Sequence, residues 1–418
     1  MREKKGKLAA AGMALIVLLM GAGCSGQAGE RSAGPLTADA GTPTAAGMPT
    51  ATATAAADET VPAATPAETV EPPAEPSLPE TVKRVSLAAV GDVLVHSSVW
   101  KDAKKADGSF DFRPMFKQVK DQLADSDITF ANSESIIGGE SLGLSSYPVF
   151  NSPFALGDAL KDAGIDVVSM ANNHSLDYRE KGILQAAAHW SKLGILYAGA
   201  NRSAAERDRI RILERDGVKI AFLAYTYGTN GIPLPRGKEY LVNLLDKDRL
   251  AADIRRAKSE ADAVVVSIHW GIEYSRMPNE EQKAWAQLAA DEGATVVLGH
   301  HPHVLQPVEW VTGSQGNRTL VFYSLGNFLA AQEQSDPYRQ IGGIARMDLV
   351  VRRTAAGTVA EAENPQLAPT YIQFRNWKGY RIVPLREAPL NLLPERSGYE
   401  KDTASLLKKF APDLRVSE

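Results

Sequence analysis

Apolar runs and helical patterns alternate along the chain from Val82 onward. Val85–Val90 reads as a strand that delivers Gly91-Asp92. Asp127–Ala131 is a second, delivering Asn132-Ser133-Glu134, and Asp166–Met170 is a third, ending at Asn172-Asn173-His174. Further strands are predicted over Val218–Tyr225, Ala263–Ile268, Thr295–Leu298, Leu320–Tyr323, Gly343–Val351 and Pro369–Phe374. Helical periodicity predicts helices over Pro114–Leu123, Ser152–Ala163, Arg179–Leu193, Lys247–Ser259 and Asn279–Asp291. Several strands are continuously apolar, as strands covered on both faces are. The pattern is that of an α/β protein with mixed sheets, one large domain over 82–385 followed by a peripheral tail over 386–418. Each polar motif falls just past the C-terminal end of an apolar strand, the edge where ligands and catalytic groups collect in α/β folds.

Ahead of the domain the pattern changes twice. Arg2, Lys4, Lys5 and Lys7 precede the apolar stretch Leu8–Ala22, which is shorter than the ~20 residues of a membrane-spanning helix and reads as an export signal. It ends at Gly21-Ala22-Gly23-Cys24-Ser25, which resembles a bacterial lipoprotein processing box, with Gly21 where that family usually has Leu. The resemblance implies removal of the signal (residues 1–24), a lipid on Cys24, and a place on the outer face of the bacterial cell membrane. Residues 25–81 are rich in Ala, Thr, Pro, Gly and Glu. Such a stretch cannot bury enough surface to offset its ordering entropy, so a disordered tether is expected. Cys24 is the only cysteine, so the domain has no disulfide and relies on an ordinary core. The net charge of −4 and the absence of a long basic run argue against nucleic acid as a partner, and no glycine-rich phosphate loop of the Walker or dinucleotide type occurs.

The candidate chemistry is concentrated at the strand ends. Six of the seven histidines lie in short motifs with Asp, Asn, Glu or Gly; only His189, within a predicted helix, stands outside them. Imidazole and carboxylate are ligands of divalent metals, so a metal site assembled from distant loops is expected. Asp92 is a candidate ligand, His96 a weaker one, and turn chemistry is the competing reading of Gly-Asp. Glu134 is a candidate terminal or bridging carboxylate with Asn132 orienting it. Asn173 offers a neutral amide oxygen, His174 can act as a general acid, and Asp177 can fix its tautomer; a capped helix start is the bland alternative. His269 competes between a ligand and a satisfied core histidine, with Glu273 as its orienting carboxylate. His301 and His303, at spacing two, can address one metal cluster, while His300 is taken with the catalytic groups, facing substrate or supporting the ligands.

These motifs resemble the CapA family, the poly-γ-glutamate capsule-synthesis proteins related to calcineurin-like metallophosphoesterases. The carrying residues are Gly91-Asp92, Asn132-Ser133-Glu134, Asn172-Asn173-His174 with Asp177, His269-Trp270-Gly271 with Glu273, Gly299-His300-His301-Pro302-His303 and Ser324-Leu325-Gly326-Asn327-Phe328. The resemblance implies a four-layer αββα sandwich of metallophosphoesterase type and a centre for one or two divalent ions (Mn, Fe or Zn). Asp92 and His303 would hold one ion, Asn173, His269 and His301 the other, with Glu134 between them and His174 protonating the leaving group. The phosphoesterases carry a His two residues after their first Asp and a bridging Asp. Here the nearest His is four residues on, and the candidate bridge is Glu134. The implied function is a surface-anchored hydrolase or transferase of capsule assembly, export, release or attachment. Its implied partners are poly-γ-glutamate or another anionic surface polymer, the membrane through the lipid, and other capsule-synthesis membrane proteins. A phosphoesterase and a non-catalytic tethered polymer-binding component remain the alternatives.

Overall fold

The computed structural model describes residues 81–355 and 357–417. The expected signal, the lipid site at Cys24 and the tether, apart from Thr81, lie outside the described residues. Among the described residues no helix is long and apolar enough to cross a membrane.

The first sheet begins with β1 (Thr81–Leu94), β2 (Ile128–Asn132), β3 (Val167–Ser169) and β4 (Leu196–Ala198), parallel neighbours in that order. A second sheet opens with the hairpin β5 (Arg211–Arg215) and β6 (Val218–Thr226). It continues through parallel β7 (Ala263–His269) and β8 (Val296–His300), with β9 (Val308–Thr312) outside β10 (Arg318–Phe322) at its far edge. The chain then returns to the first sheet through β11 (Asn327–Ala330), β12 (Ile341–Thr354), β13 (Gly357–Arg375), β14 (Lys378–Pro384) and β15 (Arg415–Val416). The order of the first sheet is β14-β13-β12-β1-β2-β3-β4, with β11 added on β1 and β15 on β13; that of the second is β5-β6-β7-β8-β10-β9.

Continuous apolar strands split their side chains between two cores, because successive residues point to opposite faces. In β1, Val85, Leu87 and Ala89 enter the core between the sheets with Phe222, Val265 and Leu298. Ala88 and Val90 face outward onto Leu156, Leu160, Ile183 and Trp190 of the helices Phe154–Asp162 and Arg179–Leu193. In the second sheet, Val264, Val266 and Val297 meet Leu250, Ile254 and Ala286 of the helices Lys247–Glu260 and Glu280–Asp291. The result is a four-layer αββα sandwich, in which each fully buried Val, Leu, Ile or Phe contributes about 1.5–3 kcal/mol.

The sequence pattern does not predict β4, β5, β9, β11, β14 and β15, and three of the segments it does describe turn out differently. The predicted helix Pro114–Leu123 is two short helices, Arg113–Phe116 and Lys120–Ala124. The strand expected at Pro369–Phe374 is only the end of β13, whose earlier part reads as polar. There Glu361 and Glu363 pair with Arg352 at 2.8 and 2.6 Å, and Glu363 with Arg84 at 3.0 Å, so neighbouring strands hold it by charge. The tail is not peripheral: Leu393, Leu407, Ala411 and Leu414 are buried in the inter-sheet core, and β15 pairs with β13.

Two glycines allow the strand ends to form. At Gly91 the neighbour of β1 changes from β12 to β11, and an added Cβ would lie 1.8 Å from the Gly326 carbonyl oxygen. At Gly299 it would lie 2.0 Å from the Tyr323 carbonyl oxygen. A methyl group there must push backbone apart, which overpacking data put at about 1–3 kcal/mol. Gly299→Ala should therefore lower the melting temperature by roughly 2–10 °C. Gly398→Ala, in an open helical position, should not; equal melting of both variants would count against the close approach.

Candidate metal centre

The site forms where parallel strands of both sheets end on one side of the sandwich. The first sheet supplies Asp92 at the end of β1, Asn132 and Glu134 at and after β2, and Asn172 to His174 after β3. The second supplies His269 at the end of β7 and His300 at the end of β8, followed by His301 and His303. The chain then turns sharply. His301 and His303 have φ of 96° and 59°, a left-handed backbone that costs a non-glycine residue of order 1–3 kcal/mol and persists only where the surroundings enforce it.

Asp92 is fully buried and uses both oxygens. Its Oδ1 accepts from Asn132 Nδ2 at 2.9 Å and lies 3.4 Å from His300 Nδ1. Its Oδ2 accepts from the His301 amide at 3.3 Å and lies 3.1 Å from His303 Nδ1. Across the pocket, His269 Nε2 is 3.0 Å from Asn173 Oδ1 and 3.5 Å from Glu134 Oε1. Glu134 Oε1 is also 3.7 Å from His303 Nε2. Glu134 thus lies between the two ligand groups that the sequence resemblance separates. The ligand atoms of Glu134, His301 and His303 fall within 4.8 Å of one another, a group that can hold a metal ion.

The electrostatics suit a cation. Glu134 is completely buried and neither oxygen has a hydrogen-bond partner. Burial drives its carboxyl well above the usual range, against the pull of His303. Burial also pushes His301 down to about 3 and His269 well below the usual imidazole range, leaving both as neutral rings, the form that ligates metals. His303 is the exception. Although burial opposes its charge, Glu134 and Asp92 raise it to about 9, so a metal there competes with a proton. For Asp92, burial is outweighed by hydrogen bonds and charge from His300 and His303, which hold the carboxyl well below its ordinary range. An orphaned carboxylate, an amide oxygen and neutral imidazoles fit a divalent metal ion.

At the edge of this pocket His174 Nδ1 lies 2.8 Å from Asp177 Oδ2, which also accepts from the Phe150 amide at 2.6 Å. The Phe150 ring stands edge-on to His174 at 4.6 Å. The backbone there is set by Asn172, whose Oδ1 accepts from the His174 amide and whose Nδ2 donates to the Ser133 carbonyl.

Four expectations need correction. His300 does not face substrate. It follows Val296 and Leu298 on the inner face of β8, is fully buried, and packs 5.9 Å from Phe130, so it supports Asp92 from beneath. Asn132 does not orient Glu134; its amide nitrogen spans Asp92 and, at 3.4 Å, His269 Nδ1. That contact is the place expected for Glu273, which is exposed. His96 turns away from Asp92, its Nδ1 held by the Leu94 carbonyl and the Ala331 amide. His189 lies between two helices, stacked on Phe154 and 3.1 Å from Asp158.

The loop after β6 adds two residues that the sequence did not single out. Tyr227, 47% exposed, has its ring 4.8 Å from that of His301 and 6.2 Å from that of His269. Asn230 accepts from Asn173 Nδ2 at 3.2 Å and brings its own Nδ2 to 3.3 Å from His174 Nδ1. The loop follows a strand end like the others but carries no histidine or carboxylate to flag it. These contacts generate a prediction: on elemental analysis after desalting, the parent should retain divalent metal and His301→Ala/His303→Ala should retain none. Asn132→Ala, which only orients ligands, should bind metal roughly 10–100-fold more weakly. Full metal content in the double variant would remove this centre.

Residues 86–332 match the family described as bacterial capsule synthesis protein PGA_cap. The chain is 35% identical over 184 residues to the PGA biosynthesis protein CapA of Bacillus subtilis (strain 168), covering 41% of this chain and 44% of that one. It is 35% identical over 178 residues to the capsule biosynthesis protein CapA of Bacillus anthracis, covering 42% of each. The match thus spans less than half the length of these relatives. Among solved structures, a 5'-nucleotidase precursor from Thermus thermophilus aligns at 13% identity with a TM-score of 0.38, over 67% of this chain and 55% of that one. With more than half of its 418 residues within the family match, the chain belongs to the bacterial capsule synthesis protein family PGA_cap.

Proposed function

We propose that this protein is a cell-surface lipoprotein of poly-γ-glutamate capsule biosynthesis whose centre cleaves or transfers γ-glutamyl chains. Family membership and the names of the relatives support the pathway. The observation that carries the chemistry is a buried His174–Asp177 pair, 2.8 Å apart, beside a group of oxygen and nitrogen donors with an unpartnered carboxylate.

Glu134, Asn173, His269, His301 and His303, with Asp92, would hold the ion or ions. A divalent metal there supplies Lewis acidity toward a carbonyl or phosphoryl oxygen. With Nδ1 engaged by Asp177, the His174 ring keeps Nε2 to give a proton to a leaving amine. Asp177 is fixed in turn by the Phe150 amide, so the ring stays oriented through proton transfer. Asn230 holds Asn173 in place beside His174, and the exposed face of Tyr227 offers an apolar surface to the methylenes of a glutamyl chain.

Metal-loaded protein incubated with poly-γ-glutamate should release new amine ends or shorten the chains. His174→Ala should slow this by about 10²–10⁴-fold while metal content stays at the parental level. Turnover of phosphoesters alone would favour the phosphoesterase alternative, and a parent-like His174→Ala would leave only a binding role. The anchoring half has its own test. In a membrane fractionation, Cys24→Ala should move the protein from the membrane pellet to the soluble fraction; an unchanged distribution would exclude the lipid on Cys24.

A further inference from the structure

We propose that the cavity beside the C-terminal helix is a second binding site, separate from the metal centre, for an extended chain bearing closely spaced carboxylates. The cavity measures about 590 Å³, within the range of ligand pockets, and none of the centre's residues line it. One wall is a single face of the helix Arg396–Leu407 and the residue after it, where Lys401, Ala404 and Lys408 follow at helical spacing. Arg346 of β12 and Arg386 after β14 line the cavity as well. Of the four basic side chains, Arg346 lies 4.0 Å from Asp125 and Arg386 3.7 Å from Glu387, and the one acidic side chain of the lining, Glu400, pairs with Arg396 at 3.4 Å, so the uncompensated charge is that of Lys401 and Lys408. That excess occurs in a chain of net charge −4. Neither Lys401 nor Lys408 has an acidic partner among the described residues.

The floor explains why the ligand is a chain and not a lone anion. The neighbour of β13 changes here: β14 pairs as far as Thr370, and β15 takes over at Leu367 and Gln366. Ala368 and Pro369 lie in the gap, and proline leaves no unpaired amide there. With Ile344 they give the cavity an apolar part beside its basic side chains. A polyamide with methylene spacers can lay its aliphatic part on these residues and direct carboxylates to Lys401 and Lys408. Phosphate polymers share the charge but lack that apolar match. The proposal draws on the proposed function only for its choice of probe.

The test is fluorescence anisotropy of a labelled glutamyl oligomer with the full chain in detergent, beside a labelled polyphosphate of matching charge. Lys401→Glu/Lys408→Glu should weaken oligomer binding by about tenfold or more, and Lys401→Gln/Lys408→Gln by less. Both lysines are exposed, so melting should be unchanged. The same loss should appear when the lysine pair is reversed in the His301→Ala/His303→Ala background. Parental affinity in the charge-reversed chain would overturn the proposal, as would polyphosphate binding as tightly as the oligomer. Loss confined to the histidine variant would also overturn it, by placing the polymer at the metal centre, and would leave the proposed function standing.

Discussion

The Glu134 carboxylate sits in the deepest part of the centre with no hydrogen-bond donor on either oxygen. An uncompensated buried carboxylate costs on the order of several kcal/mol, and the surrounding residues are arranged to answer that cost with nitrogen ligands. His269 and His303 approach it from either side, and His301 completes the group. Other polar contacts of the pocket serve to hold these rings. Asp92 faces His303 and the His301 amide, and Asn132 faces Asp92 and His269. A cation at Glu134 would resolve the charge problem that the fold creates.

The architecture makes this arrangement rigid. Ligands from two sheets can meet only if both sheets end at the same level, and the inter-sheet core fixes that level by packing Phe130 against Phe222, centroids 6.3 Å apart. The Asn132 amide then ties the first sheet to the second at the mouth of that core. Backbone close approaches at Gly91 and Gly299 bring the Gly326 and Tyr323 carbonyls against the strand ends just before Asp92 and His300. The left-handed turns at His301 and His303 are the local strain that this packing sustains.

Much of the centre was legible from the chain because metal ligands are chemically distinctive and strand ends are recognisable. Glu134, Asn173, His269, His301 and His303 all reach one pocket, and His174 meets Asp177 as the spacing suggested. The helix Arg179–Leu193 has its predicted bounds, and Asn279 caps the next-to-last helix through a reciprocal bond with Gln282. The part that was not legible lacks such signatures. Tyr227 and Asn230 are ordinary loop residues until a fold puts them beside His301 and His174, and the charged half of β13 reads as loop until Arg84 and Arg352 are set across from it.

The amino-acid sequence by itself determined the strongly apolar strands, the long amphipathic helices and the polar motifs that follow those strands, because periodicity records which positions are covered and which are free. It did not determine which neighbour does the covering. Three histidines in four residues were equivalent on paper. Alternation along β8 turned His300 inward beneath Asp92, and the following left-handed turn brought His301 and His303 toward Glu134. Those assignments depend on distances between segments far apart in the chain, and only the packing of the two sheets against each other sets them.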